Sequence, residues 1–174
     1  MEVIMSTERI NFVRPEVTFA DFYTENINNP EIYRWLRSNP QHYTKEQEIE
    51  WIKSIQNEYI YTMVDKETNE IIGNCGFNSI NENRGEVGIW ITVSKQSQHY
   101  GREAIERLII FGFTEMKMEE IVLTVFENNV RAIRCYKSIG FKTDWIEENV
   151  TDGIGTPTNN IHMILKKEKI EGSE

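Results

Sequence analysis

Two stretches of the chain hold residues whose types and spacing could do chemistry. The first, "KQSQHYGREA" at residues 95–104, joins a β-branched run, "WITV", to an apolar stretch of helical period. A helix N-terminus placed there carries about half a positive charge and up to four unpaired N–H groups, so the loop reads as a cradle for a phosphate or pyrophosphate. Gly101 supplies close backbone approach. The loop is no P-loop, lacking Gly-Lys-Ser/Thr, and no dinucleotide fingerprint, lacking three glycines. The second stretch, "NVRAIRCYKSIGF", puts Asn129, Ala132 and Tyr136 on one helix face, at i, i+3 and i+7. Either that face is a capping Asn, a packing Ala and a rim Tyr, or its polar groups act on a ligand.

Together the two stretches resemble the GNAT superfamily of N-acetyltransferases. The family's cofactor loop runs Gln/Arg-x-x-Gly-x-Gly/Ala, and Gln96 and Gly101 fill its first and last positions. Its later motif, Asn-x-x-Ala-x-x-x-Tyr-x-x-x-Gly-Phe, is matched by Asn129, Ala132, Tyr136, Gly140 and Phe141. His99 departs, standing where the first loop glycine is expected. A right-handed backbone there tolerates histidine, and its imidazole could then lie beside the pyrophosphate. A positive φ would cost on the order of 1 kcal/mol. The plain alternative is an exposed loop histidine with no role.

The resemblance implies acetyl-CoA as donor, no metal, and a primary amine as acceptor, attacking directly through a tetrahedral intermediate. It places the pyrophosphate on N–H groups from Gln98, His99, Tyr100, Gly101, Arg102, Glu103 and Ala104, behind Gln96. The pantetheine arm would lie on the strand before the loop, Trp90 to Val93, including Ile91, Thr92 and Val93, by main-chain strand addition. An N–H near Ile91 would face the oxyanion. Tyr136 is expected to protonate the leaving thiolate, Asn129 to bond the pantetheine or orient a water, and Glu86 to take the amine's proton. The competing readings are a structural tyrosine and a solvated strand-edge glutamate.

These groups need elements to hold them. "RINFVRP" reads as an opening strand, "PEIYRWLRS" as a short helix, and "TKEQEIEWIKSIQNEY" as a longer one with a Thr44/Gln47 capping box. "YIYTMVD", "EIIGNCGFNSI" and "EVGIWITV" form an antiparallel meander. Ile105, Leu108, Ile109, Gly112, Phe113 and Met116 mark an amphipathic helix after the loop. "EIVLTVF" is an unbroken apolar run, which predicts a strand covered on both faces. A helix ended by Gly140 and two closing strands complete the chain. The fold class is α/β (α+β): one domain over 1–174 with a core over 8–167, a mixed, mostly antiparallel sheet of about seven strands, about four flanking helices, and a frayed tail over 168–174.

Composition narrows the partners. With 19 basic and 28 acidic residues among 174, a net charge of -9 argues against nucleic acid and mildly favours cationic ligands. Two cysteines, Cys75 and Cys135, make no disulfide framework and suit a reducing, cytoplasmic setting. "MEVIMSTERINF" has no secretory pattern, and no apolar run approaches membrane-spanning length. Acceptor identity is expected in residues 25–60 and in "ENVTDGIGTPTNN". Glu25, Glu31, Glu46, Glu48 and Glu50 there stand beside Tyr33, Trp35, His42, Tyr43 and Trp51, a mixture that suits a cationic amine or merely makes a solvated helix pair. By resemblance the acceptor is a protein N-terminus, as in the ribosomal-protein acetyltransferases, or a polyamine or aminoglycoside, and a homodimer is open because dimers are common in the family. A non-catalytic acyl-CoA-binding module of the same fold is the alternative. His42 and His162 take no role.

Overall fold

The computed structural model describes residues 1–168. Its strands are β1 (Val3–Ser6), β2 (Ile10–Val13), β3 (Ile60–Asp65), β4 (Ile71–Asn81), β5 (Arg84–Ile91), β6 (Glu120–Phe126), β7 (Lys142–Thr151) and β8 (Pro157–Lys166). Its helices are α1 (Ala20–Ile27), α2 (Pro30–Tyr33), α3 (Lys45–Ser54), α4 (Tyr100–Thr114) and α5 (Val130–Ile139). Beyond Glu168 the expected frayed tail lies outside the described residues.

The strands form one sheet in the order β1-β2-β3-β4-β5-β6-β8-β7. Every neighbouring pair is antiparallel except β5 and β6. The mixed, mostly antiparallel expectation holds, with eight strands and five helices among the described residues instead of about seven and four. The additions are β1, which folds back on β2, and α1, which buries only Ala20, Tyr23 and Asn26.

Local signals act as their chemistry requires. Thr44 and Gln47 cap α3 reciprocally, at 3.2 and 2.8 Å. α5 stops at Gly140, whose φ of 125° suits glycine. On one sheet face, α4 packs Ala104, Ile105 and Leu108 against Phe77, Ile121 and Met163. On the other, α1 and α3 set Tyr23 and Ile52 against Val13 and Val64, with Trp51 and Trp90 at the margin. That second cluster contains no residue of β6, β7 or β8, and the β6 face that carries Thr124 is open there and buried only at Phe126. Leu123 is buried and Thr124 exposed, which corrects the two-sided burial read from the apolar run.

Candidate active site

The site begins where two strands part. β5 and β6 pair only over Arg84–Glu86 and Glu120–Val122, although β5 runs on to Ile91 and β6 to Phe126. At the far end of β5 the Thr92 N–H donates to the Ile72 carbonyl at 2.8 Å. Strand alternation therefore turns the peptide groups of Trp90 and Gly88 toward β4 and those of Ile89 and Ile91 toward the gap. Gln96 returns to the same point, its amide donating to the Ile91 carbonyl at 2.9 Å.

Between β5 and α4 the chain turns tightly, with Ser97 and His99 both left-handed at φ 61° and 66°. His99 precedes α4 without a side-chain cap, so the first-turn N–H groups of Tyr100, Gly101 and Arg102 have no acceptor among the described residues. A Cβ on Gly101 would meet only Ile91 Cδ1, at 3.3 Å, so the glycine leaves room beside the strand end. The loop is anchored from α5, where Arg131 donates to the Ser97 hydroxyl and, at 3.5 Å, to Gln96 Oε1. Arg102 donates to the Ser138 hydroxyl and pairs with Glu106 at 2.6 Å.

A cavity of about 600 Å³ lies along this loop and into the gap. Of the sequence-predicted residues, Ile91, Gln96, His99, Gly101, Arg102, Asn129 and Tyr136 line it. Thr92 and Val93 lie past the end of β5 and line no part of it; a short 3-10 turn over Val93–Lys95 follows the strand. Gln98, Tyr100, Glu103 and Ala104 are also absent from the lining. The Gln98 side chain bonds back to Ser94, Tyr100 and Ala104 are buried, and Glu103 faces the β1–β2 turn. Sequence reasoning missed Arg131 and Arg134, which line the cavity with Arg102 in a chain of net charge -9. Their own i, i+3 spacing, which sets two basic residues on one exposed helix face, was the available signal.

Tyr136 reaches the cavity from α5, with its ring edge-on to Phe141 at 6.1 Å between centroids. Its hydroxyl has no hydrogen-bond partner among the described residues, and burial pushes its pKa up to about 12. Asn129 precedes α5 without capping it, so its amide is free to meet a ligand.

Glu86 does not line this cavity. It lines an adjoining one of about 360 Å³ that Trp35, Trp90, Asn129 and Tyr136 share with the first. Alternation along β5 puts Glu86 on the Trp90 face, which packs toward α1 and α3, whereas Tyr136 packs with the α4 cluster. The carboxylate and the phenol thus approach the gap from opposite faces of the sheet. Beyond Trp90, Tyr43, Glu48 and Trp51 line a third cavity, of about 290 Å³.

The β7–β8 loop is pinned near this opening. Asp152 is fully buried and accepts from Arg34 Nε at 3.1 Å, Asn128 Nδ2 at 3.0 Å, and the Ile154 and Thr156 N–H groups at 3.0 Å each. Burial opposes its charge, but those donors outweigh it and hold its pKa below the ordinary value. The next residue, Gly153, donates its N–H to the Arg34 carbonyl at 2.8 Å.

What this arrangement fits is an elongated ligand with an anion at one end and amides along its length. An anion would meet free N–H groups and guanidinium groups, and amides would meet the part of the β5 edge that β6 leaves unpaired, the Ile91 carbonyl being taken by Gln96. Known proteins point the same way. A family model described as acetyltransferase (GNAT) domain matches residues 9–142. The N-acetyltransferase p20 of Bacillus licheniformis, itself uncharacterised, is 27% identical over 147 residues, covering 79% of this chain and 82% of the relative. A GNAT-family acetyltransferase from Bacillus anthracis superimposes with a TM-score of 0.83 at 16% identity, covering 97% of this chain and 100% of that one. The spermidine N-acetyltransferase of Vibrio cholerae, solved with CoA and spermine, gives 0.81 at 20% identity, covering 92% and 96%. Since the match takes in the parted strands, the anion loop and the Tyr136 helix in one continuous span, the chain belongs to the GNAT acetyltransferases.

Proposed function

We propose that the protein transfers the acetyl group of acetyl-CoA to a primary amine across the gap between β5 and β6. The observation that carries this reading is that the gap ends beneath the uncapped start of α4 and has the unpartnered Tyr136 hydroxyl on its wall. Acetyl-CoA supplies an activated thioester with a thiol leaving group.

The residues divide the work. The first-turn N–H groups of α4, with Arg102, Arg131 and Arg134, hold the pyrophosphate end. The gap-facing N–H and carbonyl of Ile89 hold the amide-bearing arm, and the Ile91 N–H steadies charge on the carbonyl oxygen under attack, while the Ile91 carbonyl stays with Gln96. Asn129 orients the arm. Tyr136 donates its proton to the departing thiolate, as a phenol, protonated near neutrality, is able to do. Glu86 takes the proton of the incoming ammonium from the opposite face, directly or through water. Alignment of the two reactants contributes on the order of 7–11 kcal/mol, so the base assists an already favoured geometry.

For the acceptor, Trp35, Trp51 and Trp90 with Glu86 line the adjoining cavity, and aromatic faces with a carboxylate suit a cationic amine. Both a protein N-terminus and a small polyamine or aminoglycoside meet that description. The test is a thiol-release screen with acetyl-CoA and three panels: N-terminal peptides, polyamines and aminoglycosides. Release with one panel assigns the acceptor class. A second reading, an acyl-CoA-binding module without turnover, draws on the left-handed His99 in the anion loop. It predicts acetyl-CoA binding with no release from any panel.

A further inference from the structure

Arg9, in the turn between β1 and β2, grips the anion loop from the side away from the cavity. Its Nη2 donates to the Gln98 carbonyl at 3.0 Å. Its guanidinium carbon lies 4.1 Å from the centre of the Tyr100 ring, and its Nε donates to Glu103 at 2.8 Å. Both far contacts are themselves anchored. Glu103 accepts the Thr7 hydroxyl and the Arg9 N–H, and the Tyr100 hydroxyl donates to Asp65 at 2.7 Å.

The three contacts bracket His99, one residue before it and one and four residues after it. His99 has φ 66° and ψ 12°, a left-handed conformation that a non-glycine residue keeps only where its surroundings over-determine it. A trans peptide points its carbonyl and its N–H to opposite sides. Arg9 holds the Gln98 carbonyl, so the His99 N–H of the same peptide is turned the other way. His99 lines the 600 Å³ cavity and Gln98 does not, and no described residue accepts a hydrogen bond from that N–H.

We propose that Arg9 is a positioning residue for anion recognition. It locks the left-handed turn that presents the His99 N–H, together with the first-turn N–H groups of α4, to the pyrophosphate of the cofactor. This rests on the acetyl-CoA reading above. Arg9 acts by geometry, since its charge is already committed to Glu103.

Two measurements test it. In the ligand-free protein, the three-bond HN–Hα coupling of His99 reports φ directly. Arg9→Lys keeps the charge but loses the planar fork, and is expected to shift that coupling; an unchanged coupling overturns the proposal whatever the ligand proves to be. In calorimetric titrations, Arg9→Met is expected to weaken CoA about tenfold and to leave pantetheine, which lacks the pyrophosphate, within about twofold. Adding His99→Gly should restore most of the lost CoA affinity, because glycine takes a positive φ freely. Equal weakening of CoA and pantetheine, or no rescue by His99→Gly, contradicts the positioning role. Failure of the wild-type chain to bind CoA sinks the cofactor reading instead, and leaves the coupling experiment to judge Arg9.

Discussion

The Gln96 side-chain amide donates to the Ile91 main-chain carbonyl at 2.9 Å, tying the anion loop to the end of the strand that precedes it. The bond holds the start of the loop against the end of β5, and both residues line the same cavity. Gln96→Leu should therefore raise the KM for acetyl-CoA about fivefold to tenfold and change kcat by less than about twofold, given the ordinary worth of one hydrogen bond. Steady-state kinetics with saturating amine check this. A fall in kcat with KM unchanged would place Gln96 in the chemistry.

Glu86 enters from the Trp90 face and Tyr136 from the α4 side, so a proton acceptor and a proton donor in the proposed reaction would reach the gap from opposite faces. Glu86→Gln should lower kcat/KM by about 10- to 100-fold near neutral pH. The deficit should shrink as pH approaches the pKa of the acceptor amine, since a neutral amine needs no base. A ratio of mutant to wild type that stays constant with pH would remove Glu86 from proton transfer.

The Tyr100 hydroxyl donates to Asp65 at 2.7 Å and is the leading reason why the Asp65 pKa falls to about 2, from an ordinary 3.8. A carboxylate whose pKa is lower in the folded protein contributes stability in full above 3.8, and that contribution is lost as pH falls toward 2. Tyr100→Phe should cost about 1.5–3 kcal/mol at pH near 7, the range for a hydrogen bond to a charged group. Denaturant melts across acid pH should show the difference closing between about 4 and 2. A difference that persists unchanged at the acid end would mean that the hydroxyl contributes without the Asp65 charge.

Gly153 has no room for a side chain. A Cβ would fall 2.5 Å from the Tyr33 carbonyl oxygen and 2.8 Å from the Arg34 Cα, both backbone atoms. Gly153→Ala should push the β7–β8 loop off α2 and the segment after it, breaking the Gly153 to Arg34 bond and straining the buried Asp152 pair. We expect a loss of about 1–3 kcal/mol and an acceptor KM raised more than that for acetyl-CoA. An unchanged melting temperature would contradict the close packing.

Much of this was legible before the fold was known, and the reason differs by element. The Asn129–Phe141 motif, the Thr44/Gln47 box and the Gly140 stop are local signals, and each stands where its spacing places it. The gap is not local. β6 reads as an evenly apolar run, yet its usefulness lies in parting from β5 after Val122, and Thr124 is exposed although it stands in that run. α1 escaped because its polar "YTEN" interrupts the apolar period, and its burial rests chiefly on Ala20 and Tyr23. His99 was legible as a question, and its φ of 66° answers it: the missing glycine stands at a left-handed position. Arg9 was illegible, being 89 residues from the Gln98 carbonyl that it holds.

The central claim is chemical turnover that ends on the Tyr136 proton. The direct measurement is amine-dependent release of CoA thiol from acetyl-CoA by the wild-type chain and by Tyr136→Phe, with acetyl-CoA affinity measured on both. The account predicts release that requires an amine, a kcat about 100-fold lower for Tyr136→Phe, and affinities within about twofold of each other. Equal turnover by the two proteins, or tight acetyl-CoA binding with no release from any amine, would contradict it.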